Sequence, residues 1–251
     1  MNTLVIDMGN TRMHFAFFLG LKLEYDWHLS SHESDVELVL NALVLAQTKT
    51  SFSVQKIMIC SVVPSHEHVL NQVCQQLFSL QPVWVDSLGV NRLMPIHYDS
   101  IAALGSDRAV NAWAARACWG APLIVVDAGT AITFDLVNGQ GHYQAGPILA
   151  GVNLAFQSLR SAAQLKNIGF GLSRELTVNN TSEAMHAGCY WSAVEAISGI
   201  ISRIKKVDGF AQATVIATGG SMLHLKDDIR LELHHEPLLT LEGLARLALK
   251  L

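Results

Sequence analysis

The sequence contains one short chemical pattern twice. Residues 4–18 read LVIDMGNTRMHFAFF, and residues 123–137 read LIVVDAGTAITFDLV. In each copy an apolar run ends in Asp, Gly follows two residues later, and a second apolar run begins. Such a hairpin can bind phosphate, because Gly lets backbone N–H groups approach an oxyanion while the carboxylate holds a cation. The two copies predict a duplicated domain that holds one polyphosphate from both sides, which indicates phosphoryl transfer.

The first copy centres on residues 7–11, DMGNT. Asp7 closes an apolar strand, where a carboxylate needs solvent or partners. We expect Asp7 to hold Mg²⁺, directly or through water, with Asn10, Thr11 and backbone N–H groups on the phosphates of ATP. The alternative is a tight hairpin in which Asp and Asn satisfy the turn geometry. Repetition of the pattern at Asp127 favours the functional interpretation.

The second copy centres on residues 127–131, DAGTA. Small residues beside the Gly leave room for a phosphate chain against the backbone. The hydroxyl of Thr130 can donate to a phosphate oxygen, and Asp127 can hold a second cation. A purely structural turn is again the alternative.

A third candidate site is formed by residues 105–108, GSDR, at the start of a predicted helix. Asp107 could accept the proton of an attacking hydroxyl as a general base. Arg108 offers a planar fork that suits a carboxylate or a phosphate. A helix cap followed by a solvated charge fits the same spacing equally well. Residues 218–220, TGG, follow a buried strand and could let adenine or ribose lie against the backbone, although a simple turn is common there.

The composition excludes several classes of protein. Half of the 251 residues are apolar and 15% are charged, so a substantial core is expected. A net charge of −4 argues against nucleic acid as the main partner. No apolar run reaches 18 residues and no secretory leader is recognisable, so we expect neither a membrane span nor export.

The cysteines and histidines indicate no metal site by spacing. The four cysteines form no CxxC pair, which is typical of reduced thiols in a cytoplasmic protein. Two pairs of histidines lie close together in the sequence, His66 with His68 and His234 with His235. Neither pair is accompanied by a second cluster with the spacing of metal ligands. Zinc is therefore not expected.

The periodicity predicts an α/β fold that repeats its element order. The first half is predicted as β-β-β-α-β-α-β, with a hairpin at 3–19, strands near 22–29, 54–63 and 82–85, and helices near 34–46 and 67–78. A helix is predicted from about residue 107. The second half is predicted with a hairpin around 127–131, strands near 141–144 and 213–220, and helices near 151–162, 181–204 and 239–250.

The motifs DxGNT at residue 7, GxDR at residue 105 and DAGTA at residue 127, in this order and spacing, resemble the type III pantothenate kinase family. Residues 61–64, 180–181, 217–220 and 241–244 extend the resemblance over almost the whole chain. That family belongs to the superfamily of acetate and sugar kinases, heat-shock chaperones and actin. The resemblance implies duplicated ribonuclease H-like (actin-like ATPase) halves, residues 1–104 and 105–251, each with a mixed five-stranded sheet flanked by helices.

The resemblance also implies an activity and site residues. The activity would be ATP-dependent phosphorylation of pantothenate to 4′-phosphopantothenate, the first step of coenzyme A biosynthesis, in a cytoplasmic homodimer. Asp107 would be the general base, and Asp127 would bind a monovalent cation, K⁺ or NH₄⁺, while Asp7 holds Mg²⁺ through the phosphates. ATP would meet Asp7, Met8, Gly9, Asn10, Thr11, Arg12, Met13, His14 and Thr130. Pantothenate would meet Tyr98, Gly105, Ser106, Asp107, Arg108 and Thr181.

The sequence departs from the family pattern at three places. Ile101 stands where Pro often follows the Tyr of the substrate motif, and Ala150 stands where Pro often precedes Gly. Arg12 is followed by Met13 and His14, where many members carry Lys or Arg. The first two departures bear on loop stiffness, and the third bears on the basic group near the phosphates.

Two alternative functions remain. One is a kinase of the same superfamily that acts on another small alcohol or acid. The other is a nucleotide-binding accessory regulator of transcription. The adjacent Asp107 and Arg108 argue against a purely regulatory protein, since a binding module needs no general base, and the acidic net charge argues against direct contact with DNA.

Overall fold

The structure is a computed structural model that describes residues 1–33, 35–50, 53–165 and 167–250. It has an α/β fold with two compact units. Unit 1 comprises residues 1–118 together with the chain from residue 238 onward, and unit 2 comprises residues 119–237. Among the described residues, no helix combines the length and hydropathy that crossing a membrane requires.

The strands and helices alternate along the chain. The strands are β1 (Asn2–Met8), β2 (Arg12–Leu19), β3 (Lys22–Ser30), β4 (Lys56–Ser61), β5 (Val83–Trp84), β6 (Ile96–His97), β7 (Leu123–Ala128), β8 (Ala131–Val137), β9 (Tyr143–Ala150), β10 (Thr214–Thr218) and β11 (His234–His235). The helices are α1 (Val36–Gln47), α2 (Glu67–Phe78), α3 (Ser87–Asn91), α4 (Ser106–Trp119), α5 (Val152–Ala162), α6 (Thr181–Ile204), α7 (Met222–Leu225) and α8 (Leu239–Ala248).

Unit 1 is built on a five-stranded sheet in the order β3-β2-β1-β4-β5. β1 runs antiparallel to β2 and parallel to β4. Alternate residues of β1, such as Leu4 and Ile6, are fully buried in one core cluster together with residues of α1 and α2. Because side chains alternate across a strand, Val5 and Asp7 project from the opposite face of the sheet.

The strand register places four polar or ionisable side chains in one row across that opposite face. Asp7 on β1 pairs with His14 on β2 and with Cys60 on β4. His14 pairs in turn with His28 on β3. Directly paired residues project to the same side of a sheet, so Cys60, Asp7, His14 and His28 form what we call the Asp7 row.

The last helix of the chain completes unit 1. α8 packs against β1, β2 and β4, and Thr240 Oγ1 donates a hydrogen bond to Asn111 Oδ1 of α4 at 2.7 Å. Gly243 makes a close helix approach feasible, because a Cβ there would lie 2.8 Å from Val110 Cγ1 and 2.9 Å from Ala114 Cβ. The bounds of unit 1 therefore differ from the halves 1–104 and 105–251 that the family resemblance implies.

Unit 2 repeats the strand arrangement of unit 1. Its strands lie in the order β11-β10-β7-β8-β9. β7 runs antiparallel to β8 and parallel to β10, as β1 does to β2 and β4. Residues of α5 and α6 pack with β7, β8 and β10 in one core cluster. The duplication predicted from the two Asp-x-Gly patterns is therefore present in the strand order.

The observed elements differ from the predicted ones at a few places. β9 runs through residue 150, whereas the prediction stopped at residue 144. The two-residue strands β6 and β11 and the short helix α3 were not predicted. The predicted start of the first helix, Ser34, lies outside the described residues; α1 itself is capped by Asp35, whose Oδ1 accepts a hydrogen bond from Leu38 N at 2.7 Å.

Candidate active site

The turn between β1 and β2 exposes polar side chains on a constrained backbone. Gly9 N donates to Arg12 O at 3.0 Å. Ser31, the residue after β3, holds the turn in place, since its Oγ donates to Gly9 O at 2.7 Å and its N donates to Thr11 O at 3.1 Å. Asn10, Thr11 and Arg12 are exposed to solvent. The turn can therefore present N–H and side-chain donors to an anion at fixed positions.

Two of the residues predicted to meet ATP lie in the core instead of on the turn surface. Met8 and Met13 pair across the hairpin and are both fully buried. Only their backbone groups can take part in binding a ligand. His14 is partly buried in the Asp7 row.

The carboxyl group of Asp7 is held in an unfavourable environment for a negative charge. Burial, and then the negative charge of Asp107, raise its pKa from the usual 3.8 to about 7. Cys60 Sγ opposes this increase by donating to Asp7 Oδ1 at 3.4 Å. A cation beside the two carboxyl groups would relieve the repulsion, and carboxylate oxygens are ligands that Mg²⁺ accepts. The donor set thus fits a hard divalent cation.

Asp107 stands at the start of α4, and the neighbouring serine ties that helix to the end of β4. Ser106 Oγ donates to Ser61 O at 2.9 Å and accepts from Ser61 N at 3.1 Å. Ser87 Oγ, from α3, donates to Leu104 O at 2.7 Å. The backbone around Asp107 is therefore fixed next to the strand that carries Cys60.

The environment of Asp107 suits a general base. Burial raises the pKa of its carboxyl group, while the N–H and the charge of Arg108 lower it to a smaller extent. Arg108 N donates to Asp107 Oδ1 at 2.7 Å, which orients the carboxylate. A carboxyl whose pKa is raised accepts a proton more readily than an ordinary one.

The double hydrogen bond of Ser106 is expected to matter for stability. In Ser106→Ala, the N–H and the carbonyl of Ser61 both lose a buried partner, so the free energy of unfolding should fall by about 1–3 kcal/mol. Urea unfolding of the two proteins measures the difference. Ser202→Ala, which removes an exposed bond within α6, should change it by less than about 0.5 kcal/mol. An equal stability of wild type and Ser106→Ala would contradict the role given to Ser106.

The second hairpin has a tighter turn than the first. Two residues separate β7 from β8, whereas three separate β1 from β2. Gly129 N donates to Ala131 O at 2.9 Å, and Gly151 N donates to Thr130 O at 3.0 Å. A Cβ on Gly151 would collide with the carbonyl groups of Gly129 and Thr130, so Gly is required there. Thr130 is exposed at the tip, where its hydroxyl can meet a ligand.

Asp127 lies beside the glycine turn that follows β10. It pairs with Thr218 on β10, and the next residue, Gly219, has a φ of +90°. A side chain on Gly219 would meet the carboxylate of Asp127 and the backbone of Ala128. Ser221 N donates to Ala128 O at 2.9 Å and closes the turn. Gly219 thus lies directly against the carboxylate of Asp127, and the structure leaves no room for a side chain at this position.

The remaining predicted site residues occupy different surroundings. Tyr98 is 38% exposed and follows β6 in unit 1, whereas Arg108 is 9% exposed within α4. Thr181 is the exposed first residue of α6 in unit 2, and Asn180 caps that helix by accepting a hydrogen bond from Glu183 N at 2.9 Å. Within unit 1 the structure brings the charge of Asp107 close enough to Asp7 to raise its pKa.

Sequence reasoning missed the residues that hold the site in place. The sequence predicts only a reduced thiol at Cys60, and it predicts no role for Ser31 or Ser87. Their roles arise from strand register and from loops that meet in space, which a spacing argument does not reveal. Ser61 could have been identified from the sequence, because it begins the SVVP segment that forms part of the family resemblance.

The chain matches the family model described as type III pantothenate kinase over residues 3–203. A type III pantothenate kinase of Acidiphilium cryptum is 37% identical over 253 residues, covering 98% of this chain and 94% of the relative. A type III pantothenate kinase of Paramagnetospirillum magneticum is 35% identical over 222 residues, covering 86% of this chain and 85% of the relative.

Solved structures with the same fold are more distant in sequence. A protein of Campylobacter jejuni described as a Baf family transcriptional activator has a TM-score of 0.62 at 19% identity, with 98% of each chain covered. A ROK hexokinase of Thermus thermophilus has a TM-score of 0.52 at 13% identity, covering 100% of this chain and 99% of the hexokinase. These likenesses establish the duplicated ribonuclease H-like fold of actin-like ATPases and ROK kinases. Since the family model and a 37% identical relative both span most of the sequence, the chain belongs to the type III pantothenate kinase family.

Proposed function

We propose that this protein transfers the γ-phosphoryl group of ATP to pantothenate, giving ADP and 4′-phosphopantothenate, the first step of coenzyme A biosynthesis. Membership of the type III pantothenate kinase family supports pantothenate as the substrate. The structural observation that supports the reaction is Asp107, a carboxyl of raised pKa fixed at the start of α4 in the same unit as the phosphate hairpin with Asp7.

The hairpin of residues 7–14 is proposed to hold the phosphates of ATP. Exposed Asn10, Thr11 and Arg12 contribute side chains, whereas Met8 and Met13 contribute only backbone groups. Gly9 gives the backbone its close approach, and His14 lies beside Asp7 in the row. On the second hairpin, the exposed Thr130 is proposed to donate its hydroxyl to a phosphate oxygen.

Asp107 is proposed to accept the proton of the pantothenate hydroxyl as that oxygen attacks the γ-phosphorus. Phosphoryl transfer mainly requires in-line positioning and charge neutralisation, so a base that orients the hydroxyl is sufficient. Tyr98, Gly105, Arg108 and Thr181 are proposed to bind the substrate. Ser106 is proposed to contribute through its backbone, since its hydroxyl already bonds to Ser61.

Two cations are proposed. Mg²⁺ beside Asp7 would neutralise charge on the phosphates, which fits the crowded carboxyl groups of Asp7 and Asp107. A monovalent cation, K⁺ or NH₄⁺, is proposed at Asp127, beside the backbone of Gly219.

A cytoplasmic homodimer is proposed as the working form. Unit 2 exposes large apolar side chains that a partner copy could cover; these are Ile148, Leu154, Leu159, Phe170, Leu172 and Leu176. All four cysteines are free thiols, which fits a reducing compartment.

The test is ADP release by the purified protein with Mg-ATP, with and without pantothenate, in K⁺ buffer and then in Na⁺ buffer. Turnover that requires pantothenate and increases in K⁺ supports both the reaction and the cation at Asp127. Turnover with a different small alcohol but not with pantothenate would assign the protein to another substrate. Nucleotide binding without turnover in either buffer would overturn the enzymatic proposal and favour an accessory regulatory role.

A methyl group at residue 105 is expected to impair catalysis more than stability. In Gly105→Ala, the new Cβ would stand 2.6 Å from Asp107 Oδ1 and 3.6 Å from Val62 Cγ1, so the carboxylate must move. We expect kcat to fall by about tenfold to a hundredfold, because a displacement of about 1 Å has effects of that size. Steady-state kinetics and a thermal melt measure the two effects. Gly139→Ala, where a Cβ meets nothing within 4 Å, is the matched control and should retain normal kcat.

A further inference from the structure

We propose that His14, Asp26 and His28 form a binding site for a transition-metal cation of the Zn²⁺ class on the β2–β3 hairpin. One ligand atom from each side chain lies within 4.8 Å of the other two. In the described part of the chain, no other group of three His, Cys, Asp or Glu side chains meets this criterion. The histidine pairs that the sequence suggested, at residues 66/68 and 234/235, form no such group.

The positions of the three side chains follow from strand pairing. His14 on β2 is directly opposite His28 on β3, and Asp26 precedes His28 by two residues on the same strand. Residues two apart on a strand share a face, so all three project from the same side of the hairpin. The rings of His14 and His28 have centroids 4.1 Å apart, and His14 Nε2 is 2.8 Å from Asp26 Oδ2. The ligands are thus held by two paired strands.

The donor set selects the class of metal. Two imidazole nitrogens and one carboxylate oxygen are ligands that Zn²⁺ binds tetrahedrally, with a water in the fourth position. Mg²⁺ prefers a complete set of oxygen ligands and binds imidazole poorly. To bind the cation, Asp26 exchanges its contact with His14 for the metal. This site is therefore chemically distinct from the Mg²⁺ proposed at Asp7.

The site is accessible from solvent. Its side chains are partly exposed, at 20% for His14 and 35% for Asp26, and His28 is exposed. His28 also lines a cavity of about 280 Å³ together with Thr11, Arg12, Leu29, Ser30 and His32. The positive charge of Arg12 in this cavity opposes a cation and limits the affinity.

Metal at this site would couple to the nucleotide hairpin. His14 is the direct register partner of Asp7, and β2 begins at Arg12, only two residues before His14. A cation that links β2 to β3 therefore stabilises the strand that leaves the phosphate turn. This inference does not depend on the kinase reaction, because binding of the metal is measured without ATP.

The test is titration of the full-length protein with Zn²⁺ by calorimetry, in buffer with excess Mg²⁺, and with Co²⁺ followed by visible absorption. We expect one site per chain that His28→Gln and Asp26→Asn each weaken by at least about tenfold. Saturating Zn²⁺ should raise Tm by about 2–4 °C in the wild type but not in these variants. His32→Gln, which alters an exposed histidine of the same cavity, is the control and should bind Zn²⁺ normally.

Three results would overturn the proposal. The first is Zn²⁺ binding of unchanged affinity and stoichiometry in both His28→Gln and Asp26→Asn. The second is an equal loss of binding in His32→Gln. The third is full competition by Mg²⁺, which would mean that the cation binds to oxygen ligands elsewhere. A protein that binds Zn²⁺ as expected but fails to phosphorylate pantothenate would contradict the proposed function and leave the metal site intact.

Discussion

Asp107→Asn is expected to lower kcat by about a hundredfold or more while leaving nucleotide binding nearly unchanged. The amide keeps an oxygen that can accept the hydrogen bond from Arg108 N, now 2.7 Å from Asp107 Oδ1, so the start of α4 should keep its geometry. What is lost is the ability to accept a proton, and general-base contributions have this magnitude. Single-turnover kinetics with Mg-ATP and pantothenate, together with ADP titration, separate chemistry from binding.

The pH profile gives this prediction a second readout. Because the pKa of Asp107 is raised, kcat/KM of the wild type should decline on acidification at a higher pH than for an ordinary carboxyl group. The residual activity of Asp107→Asn should lack that decline. Glu67→Gln is the control, since Glu67 is an acidic residue in the first turn of α2 and has no proposed role in the site. Wild-type turnover in Asp107→Asn would remove Asp107 from the mechanism.

Asp7→Asn is expected to have opposite effects on stability and on activity. The ligand-free protein should gain about 2 kcal/mol in free energy of unfolding at pH 8, because a partly buried charge is removed. This is less than the full pKa shift implies, since Asp7 as a whole residue is only partly buried and solvent screens part of the effect. At the same time kcat/KM should fall by about a hundredfold or more, since the group proposed to hold Mg²⁺ is neutralised.

The sign of the pH dependence follows from the raised pKa of Asp7. The folded protein keeps the proton up to about pH 7, whereas the unfolded chain releases it near 3.8. Stability from this group is therefore lost as the pH rises from about 4 to about 7, and the loss is complete above pH 7. The difference in free energy of unfolding between Asp7→Asn and the wild type should grow over the same pH interval. Urea unfolding at several pH values measures it, with Asp208→Asn, an exposed residue, as the control. A variant less stable than the wild type at pH 8 would contradict the account.

Long elements were predictable because many residues repeat the same periodic signal. The helices predicted at 67–78 and 181–204 coincide with α2 and α6. Both hairpins and the duplicated order were also predicted correctly. The strands β6 and β11 contain two residues each and carry no periodicity, so only their pairing partners define them.

The strand β9 continues past the predicted end at residue 144 and includes residues that usually break a strand. Gly146 and Pro147 occur within it, and this pair is a strong turn signal in a sequence. In the structure Gly146 packs against β8, where a Cβ would lie 2.7 Å from Phe134 O. The pairing of β8 with β9 also shifts register between Thr133 and Asp135. A local irregularity accommodates both residues inside a strand, and a sequence pattern does not show this.

The ionisable residues of the candidate site could be predicted from the sequence, but the environment of each residue could not. Asp7 and Asp107 were identified from motifs, but their mutual charge effect arises because β1 and β4 are neighbours and Ser106 ties α4 to the end of β4. Cys60 became relevant only through its register with Asp7. The charge effect and the Cys60 contact depend on strands that are far apart in the sequence, whereas the motifs reveal only which residue types are present.

The position of α8 has a consequence for biosynthesis. Because this helix packs against β1, β2 and β4, and Lys56 Nζ donates to Ala248 O at 3.0 Å, unit 1 contains a helix that leaves the ribosome after the whole of unit 2. Unit 2 has its whole sequence available earlier, although it follows most of unit 1 in the chain. During translation unit 2 can therefore fold first, and the sheet of unit 1 keeps one face uncovered until α8 has been synthesised.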